Sequence, residues 1–128
     1  MNPKATVLHH PLIEHKLSIL RNRDTDNKLF RETLNELSYL IVYEITRDLV
    51  LRPVRIQTPL APCDCHQLGE QVLLVPVLRA GLGMVEGILN LIPSAKVGHI
   101  GVYRDENTLR PVEYYCKLPP NAETMRVF

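Results

Sequence analysis

The stretch richest in chemistry is Val75-Pro76-Val77-Leu78-Arg79-Ala80-Gly81-Leu82-Gly83. An apolar run ends there in a loop of small residues, and a helix-like segment begins beyond it. In open α/β sheets, ligands bind outside the carboxyl ends of the strands. Small residues let a ligand come close to the backbone. Amides at the start of the following helix favour an anion. Arg79 adds a planar, permanently charged fork that can hold a phosphate through two hydrogen bonds. The combination points to phosphate recognition. The alternative is a glycine turn required by sterics alone, with Arg79 solvated or ion-paired. Gly81-x-Gly83-x-x-x-Gly87 misses the dinucleotide fingerprint by one residue, and no G-x-x-x-x-G-K-[ST] loop occurs.

A second candidate is Tyr103-Arg104-Asp105, at the expected carboxyl end of a strand, where Arg104 could face the same crevice as Arg79. The competing reading is a hairpin-like turn with Arg104 paired to Asp105 or Glu106, a kind of exposed pair that contributes little. Cys63-x-Cys65-His66 invites a zinc reading, but the spacing is C-x-C, no second pair completes four ligands, and Cys116 is remote in sequence. Loop cysteines are therefore expected, and no resident metal site. His9, His10 and His15 fit a solvated arm. His99 fits a satisfied core or interface histidine. Glu32, Glu36 and Glu44 fit a solvated helix face, and no nucleophilic triad can be argued from spacing.

The elements that must position these residues can be read from periodicity. Thr6 to His10 suits a short extended arm, and Pro11 suits the first turn of a helix carrying Leu12, Ile13, Leu17 and Leu20. Asp24 to Asn27 is a cluster of turn and N-cap formers. A long amphipathic helix is expected from about Lys28 to Asp48, with its stripe at Phe30, Leu34, Leu37, Ile41 and Ile45. Val54 to Thr58 alternates like a strand, and Pro59, Pro62, Cys63, Asp64 and Gly69 indicate a loop. Val72 to Val75 is apolar throughout, as in a parallel strand buried on both faces. A helix is expected from Met84 to Ile92, stopped by Pro93. Strands are expected at Lys96 to Tyr103, Val112 to Leu118 and, just beginning, Met125 to Phe128. Helices first, then strand-loop-helix-strand units, make an α/β protein.

The 128 residues are one domain's worth of chain, here 1–128 as a single unit. Hydrophobic residues at 45% and charged residues at 23% exclude intrinsic disorder. Fifteen Lys and Arg against fourteen Asp and Glu exclude a domain-wide basic field, so nucleic acid is not an expected partner. No apolar run is long enough for a membrane span. Met1 to His10 has no apolar signal core. Three cysteines do not make a disulfide framework, so the cytoplasm is the simplest compartment.

Several ordered blocks carry a resemblance. They are His10-Pro11-Leu12-Ile13-Glu14-His15-Lys16-Leu17, Phe30-Arg31-Glu32, Tyr43-Glu44-Ile45-Thr46-Arg47-Asp48, Val75 to Met84, Leu91-Ile92-Pro93, Ala95 to Gly101, Tyr103-Arg104-Asp105 and Pro111 to Tyr115. From about Val7 to Pro120 the chain resembles bacterial-type uracil phosphoribosyltransferases. The resemblance implies a type I phosphoribosyltransferase fold, a parallel sheet with flanking helices. It implies the reaction of uracil with 5-phosphoribosyl diphosphate (PRPP) to UMP and diphosphate, in pyrimidine salvage. It also implies Mg²⁺ accompanying PRPP, a homo-oligomer, and GTP activation in some members. Arg79 matches the family's diphosphate-contacting arginine, with Ala80 and Gly81 in the same loop, and Arg104 matches a second PRPP-contacting arginine.

The family pattern continues with an acidic, Gly/Thr-rich ribose-phosphate segment and a uracil-binding loop, neither of which occurs here. The chain is therefore expected to be the N-terminal part of such a domain, with an unpaired strand edge and exposed apolar faces. The alternative to a working enzyme is an inactive homologue acting as an oligomerisation or PRPP-binding module. A different α/β nucleotide-binding enzyme on the same scaffold is a third reading.

Overall fold

Two helices open the described part of the chain, which the computed structural model gives as residues 7–128. Of the expected arm, Thr6 lies outside the described residues, and residues 7–10 are neither helix nor strand. Helix α1 spans Pro11–Arg21. Its cap is His10, whose Nδ1 accepts the Leu12 amide at 3.1 Å, so this histidine has a structural role. Helix α2 spans Asn27–Ile45, ending before the expected Asp48. Asp26 caps it, accepting the amides of Lys28 and Leu29 at 2.8 and 2.9 Å.

The buried side of α2 differs from the expected stripe. Thr33, Leu37, Ser38 and Val42 are buried, while Phe30 and Ile45 are 42% and 37% exposed. The cause is helix α3 (Leu82–Leu91), which packs on α2 through small residues. At Gly87 an added Cβ would lie 2.7 Å from the Asn35 carbonyl oxygen and 3.0 Å from Ser38 Cβ. A stripe counted from large apolar residues cannot register a contact made by glycine, asparagine and serine.

Strands β1 (Leu51–Gln57) and β2 (Pro62–Leu68) form an antiparallel hairpin, registered from Leu51 opposite Leu68 to Gln57 opposite Pro62. The loop expected between Pro59 and Gly69 is thus mostly strand. Only the turn around Thr58 to Ala61 is irregular, held by the Ala61 amide donating to Thr58 Oγ1 at 3.1 Å. In a two-stranded sheet every strand is an edge, so Pro53 and Pro62 are tolerated. The prolines masked the alternation of Cys63 and Cys65 with Asp64 and His66.

Strand β3 (Val72–Leu74) is buried at every residue. It lies between β5 (Lys96–Val97) and β8 (Arg126–Val127), parallel to both. Past Pro76 the chain enters β4 (Val77–Leu78), parallel to β6 (His99–Arg104). Strand β7 (Pro111–Lys117) then pairs antiparallel with β6. The Gly98 amide donates to Leu74 O at 2.9 Å and the Ile100 amide to Pro76 O at 3.4 Å, joining the two halves. The strand expected at Lys96 to Tyr103 is therefore broken at Gly98, beside the point where Pro76 has no amide to give. Helix α3 starts two residues ahead of the expected Met84 and ends before Pro93. Its Val85, Ile88 and Leu89 cover a core of Val42, Val72, Leu74 and Ile92. Among the described residues no helix is long and apolar enough to cross a membrane.

Candidate anion site at the strand ends

Parallel pairing places Leu78 of β4 beside Gly101 of β6, so both strands deliver their carboxyl ends to one edge. Arg79 is the next residue after β4, and Arg104 is the last of β6. Both are exposed. Among the described residues neither guanidinium has a carboxylate partner, whereas Arg55 meets Asp64 and Arg126 meets Asp48 and Glu70.

The turn reading of Arg104 is half right. Residues 105–110 do turn, but Asp105 faces its own loop. Its Oδ1 accepts the Thr108 amide at 2.7 Å, the Thr108 hydroxyl at 2.9 Å and the Asn107 amide at 3.0 Å. The Thr108 amide, then its hydroxyl, hold the Asp105 carboxyl below the usual aspartate range. With Asp105 committed to the turn, Arg104 is left unpaired.

The loop after β4 refines the expectation about its amides. The amides of Gly81, Leu82, Gly83 and Met84 donate to the carbonyls of Val77, Arg79, Ala80 and Gly81, at 2.9 to 3.4 Å. The start of α3 therefore satisfies its own donors in tight turns. Among the described residues the amides of Arg79 and Ala80 have no backbone acceptor. The Leu78–Arg79 peptide bond is cis. A Cβ on Gly81 would lie 2.8 Å from Val77 N, so this glycine lets the loop fold tightly over β4. The steric reading of the glycine and an unpaired Arg79 thus hold together.

Beside the loop, a concavity of about 340 Å³ between α2 and α3 is lined by Arg31, Glu32, Asn35, Leu82, Gly83 and Glu86. Asn35 Oδ1 is buried there without a hydrogen-bond partner. Arg31 was not singled out as a site residue in the sequence, because on a polar helix face it has no distinguishing spacing. A larger concavity of about 530 Å³ lies under residues 7–10, where Tyr43, Glu44 and Arg47 line it. It stands toward the other end of α2, where Tyr43 lies roughly 18 Å along the axis from Arg31.

The remaining candidates are dispersed. Cys63, Cys65 and His66 sit on β2, and Cys116 on β7. Among the described residues no three His, Cys, Asp or Glu side chains are grouped to hold a metal ion. His99 is half-buried on β6. Glu32, Glu36 and Glu44 pair with Lys28, Lys16 and Arg47 on the helix surface.

Parallel strands ending in two unpaired arginines, with free amides between strand and helix, give this α/β protein a candidate anion site at its strand ends. The model of the family "Uracil phosphoribosyltransferase" matches residues 7–128. The chain is 57% identical over 126 residues to the uracil phosphoribosyltransferase of Latilactobacillus sakei, covering 98% of this chain and 60% of that relative. It is 59% identical over 117 residues to that of Symbiobacterium thermophilum, covering 91% of this chain and 56% of that relative. The solved structure of the AQ2163 protein from Aquifex aeolicus matches with a TM-score of 0.84 at 41% identity, over 89% of this chain and 55% of that one. The chain belongs to the uracil phosphoribosyltransferase family. It spans about 60% of the length of the curated relatives it matches.

Proposed function

We propose that the protein transfers the phosphoribosyl group of PRPP to uracil, giving UMP and diphosphate in pyrimidine salvage. The observation that carries this reading is the pair of unpaired guanidinium groups, Arg79 and Arg104, at the ends of adjacent parallel strands. Arg79, with the backbone of Ala80 and Gly81, holds the diphosphate of PRPP, and Arg104 holds it from the neighbouring strand. Breaking the bond at the ribose C1′ leaves positive charge on the sugar and growing negative charge on the departing diphosphate. Fixed cations and amides aimed at that charge stabilise the transition state more than the ground state. No covalent nucleophile is needed. Mg²⁺ enters as part of the substrate, carried by the phosphates of PRPP. No residue of this chain is assigned to uracil.

Residues 1–128 are read as part of one phosphoribosyltransferase-like domain. The protein works as a homo-oligomer in the cytoplasm, with GTP as an activator and with neither nucleic acid nor membrane as a partner.

The test is PRPP-dependent formation of labelled UMP from labelled uracil with Mg²⁺, alongside calorimetric titration with PRPP. Conversion together with binding is the expected result. Binding without conversion would reduce the protein to a PRPP-binding module. Absence of PRPP binding would remove the site.

A further inference from the structure

Cys63 and Cys65 occupy alternate positions of β2, so both side chains leave one face of the hairpin. Their Sγ atoms are 3.7 Å apart. Two bonds of about 2.3 Å to one tetrahedral Zn²⁺ ion would set the sulfurs about 3.8 Å apart. The pair already has the bite of a chelate. Strand pairing holds that spacing, with Cys63 opposite Ile56 and Cys65 opposite Val54.

The same pairing disfavours a disulfide. Same-face neighbours in a strand lie roughly 6.6–6.8 Å apart at Cα, at the outer limit for a bridge whose sulfurs must close to about 2.05 Å. Closing it would pull β2 out of register with β1. Both thiols are reachable, Cys63 exposed and Cys65 half-buried. Asp64 and His66 alternate onto the other face, where Asp64 meets Arg55 at 3.2 Å. Neither joins the pair.

We propose that Cys63 and Cys65 form a two-thiolate site for a thiophilic cation of the Zn²⁺ class, with two coordination positions open to water or an outside ligand. Binding makes two metal–sulfur bonds and releases two thiol protons to solvent, with no transfer of electrons. Because both ligands sit on one strand, the ion ties down no second element. The site captures metal and does not staple the fold. It also lies on a separate sheet from Arg79 and Arg104.

The experiment is titration of the reduced chain with Cd²⁺, followed by the ultraviolet thiolate-to-metal charge-transfer band, with Zn²⁺ as competitor. The band is expected to saturate at one ion per chain. It should vanish in Cys63→Ser and in Cys65→Ser and persist in Cys116→Ser. In the unaltered chain, bound Cd²⁺ should shield Cys63 and Cys65 from alkylation and leave Cys116 reactive, as mapped by peptide mass. A band that survives in Cys63→Ser, or equal alkylation of all three cysteines with and without Cd²⁺, would overturn the proposal.

Discussion

Among the described residues Arg79 and Arg104 have no carboxylate partner, a state they share with Arg21, Arg31, Arg52 and Arg110, and what sets them apart is their place at the ends of two paired parallel strands. For Arg104 the neighbouring alternative is closed off, because Asp105 commits its carboxylate to Thr108 and Asn107. A charge-assisted hydrogen bond contributes about 1.5–3 kcal/mol. Arg79→Ala and Arg104→Ala are each expected to weaken PRPP binding by roughly ten- to a hundredfold, read by calorimetric titration. Arg79→Lys keeps the charge and loses the planar fork, so it should recover only part of that loss. An unchanged affinity in Arg79→Ala would take this residue out of the diphosphate site. Arg79 is legible in the sequence because an apolar run ending in small residues marks a strand end, and Arg104 because it follows the run expected as a strand from Lys96 to Tyr103. The inward turn of Asp105 is not, since Tyr103-Arg104-Asp105 reads equally well as a surface ion pair.

Among the elements, the α2–α3 crossing is the point of least tolerance. A side chain at Gly87 meets the backbone of Asn35, which cannot yield as a flexible side chain can. Gly87→Val is expected to destabilise the fold by about 1–3 kcal/mol, the usual cost of overpacking, and to lower the thermal midpoint. Asp26→Ala removes both side-chain bonds at the start of α2 and should cost about 0.5–2 kcal/mol in denaturant titration. The starts of α1 and α2 and the buried strand β3 could be read from Pro11, from the cap cluster ending at Asp26 and from an unbroken apolar run. The strand β2 could not. Its prolines signal a break in any interior sheet and are harmless in an isolated hairpin, and only the pairing partner distinguishes the two cases.

Across the whole molecule, one carboxylate joins distant segments. Glu70 accepts the Val50 amide at 2.8 Å and pairs with Arg126 at 3.3 Å, while Arg126 also reaches Asp48 at 3.3 Å. These contacts tie the base of the hairpin to β8. The Val50 amide first, and Arg126 second, hold the Glu70 carboxyl below the usual glutamate range. A carboxyl lowered in the folded state stabilises the fold fully above its ordinary value and loses that contribution as the pH falls through the folded value. The thermal midpoint of the unaltered chain should therefore exceed that of Glu70→Gln at neutral pH. The gap should close as the solution is acidified below the glutamate range, and a gap independent of pH would count against the tie. Strand β7 is a sheet edge, and large apolar side chains such as Leu60, Leu109 and Tyr114 are exposed. Self-association is the expected consequence, visible as a concentration-dependent mass in sedimentation. A single monomeric species across the concentration range would refute it.

The sequence by itself determined the α/β class, the three helices, the buried strand β3, and Arg79 and Arg104 as candidates for binding an anion. These follow from local facts: side-chain periodicity, capping residues, and where an apolar run gives way to small residues. Only the tertiary structure decided that Leu78 lies beside Gly101, which sets Arg79 and Arg104 on one edge. It alone decided that small residues of α2 bury against Gly87, and that Cys63 and Cys65 sit on a paired strand. Each of these depends on residues far apart in the chain, whose approach is set by the pairing and packing of whole elements. Local residue types do not encode that approach one position at a time.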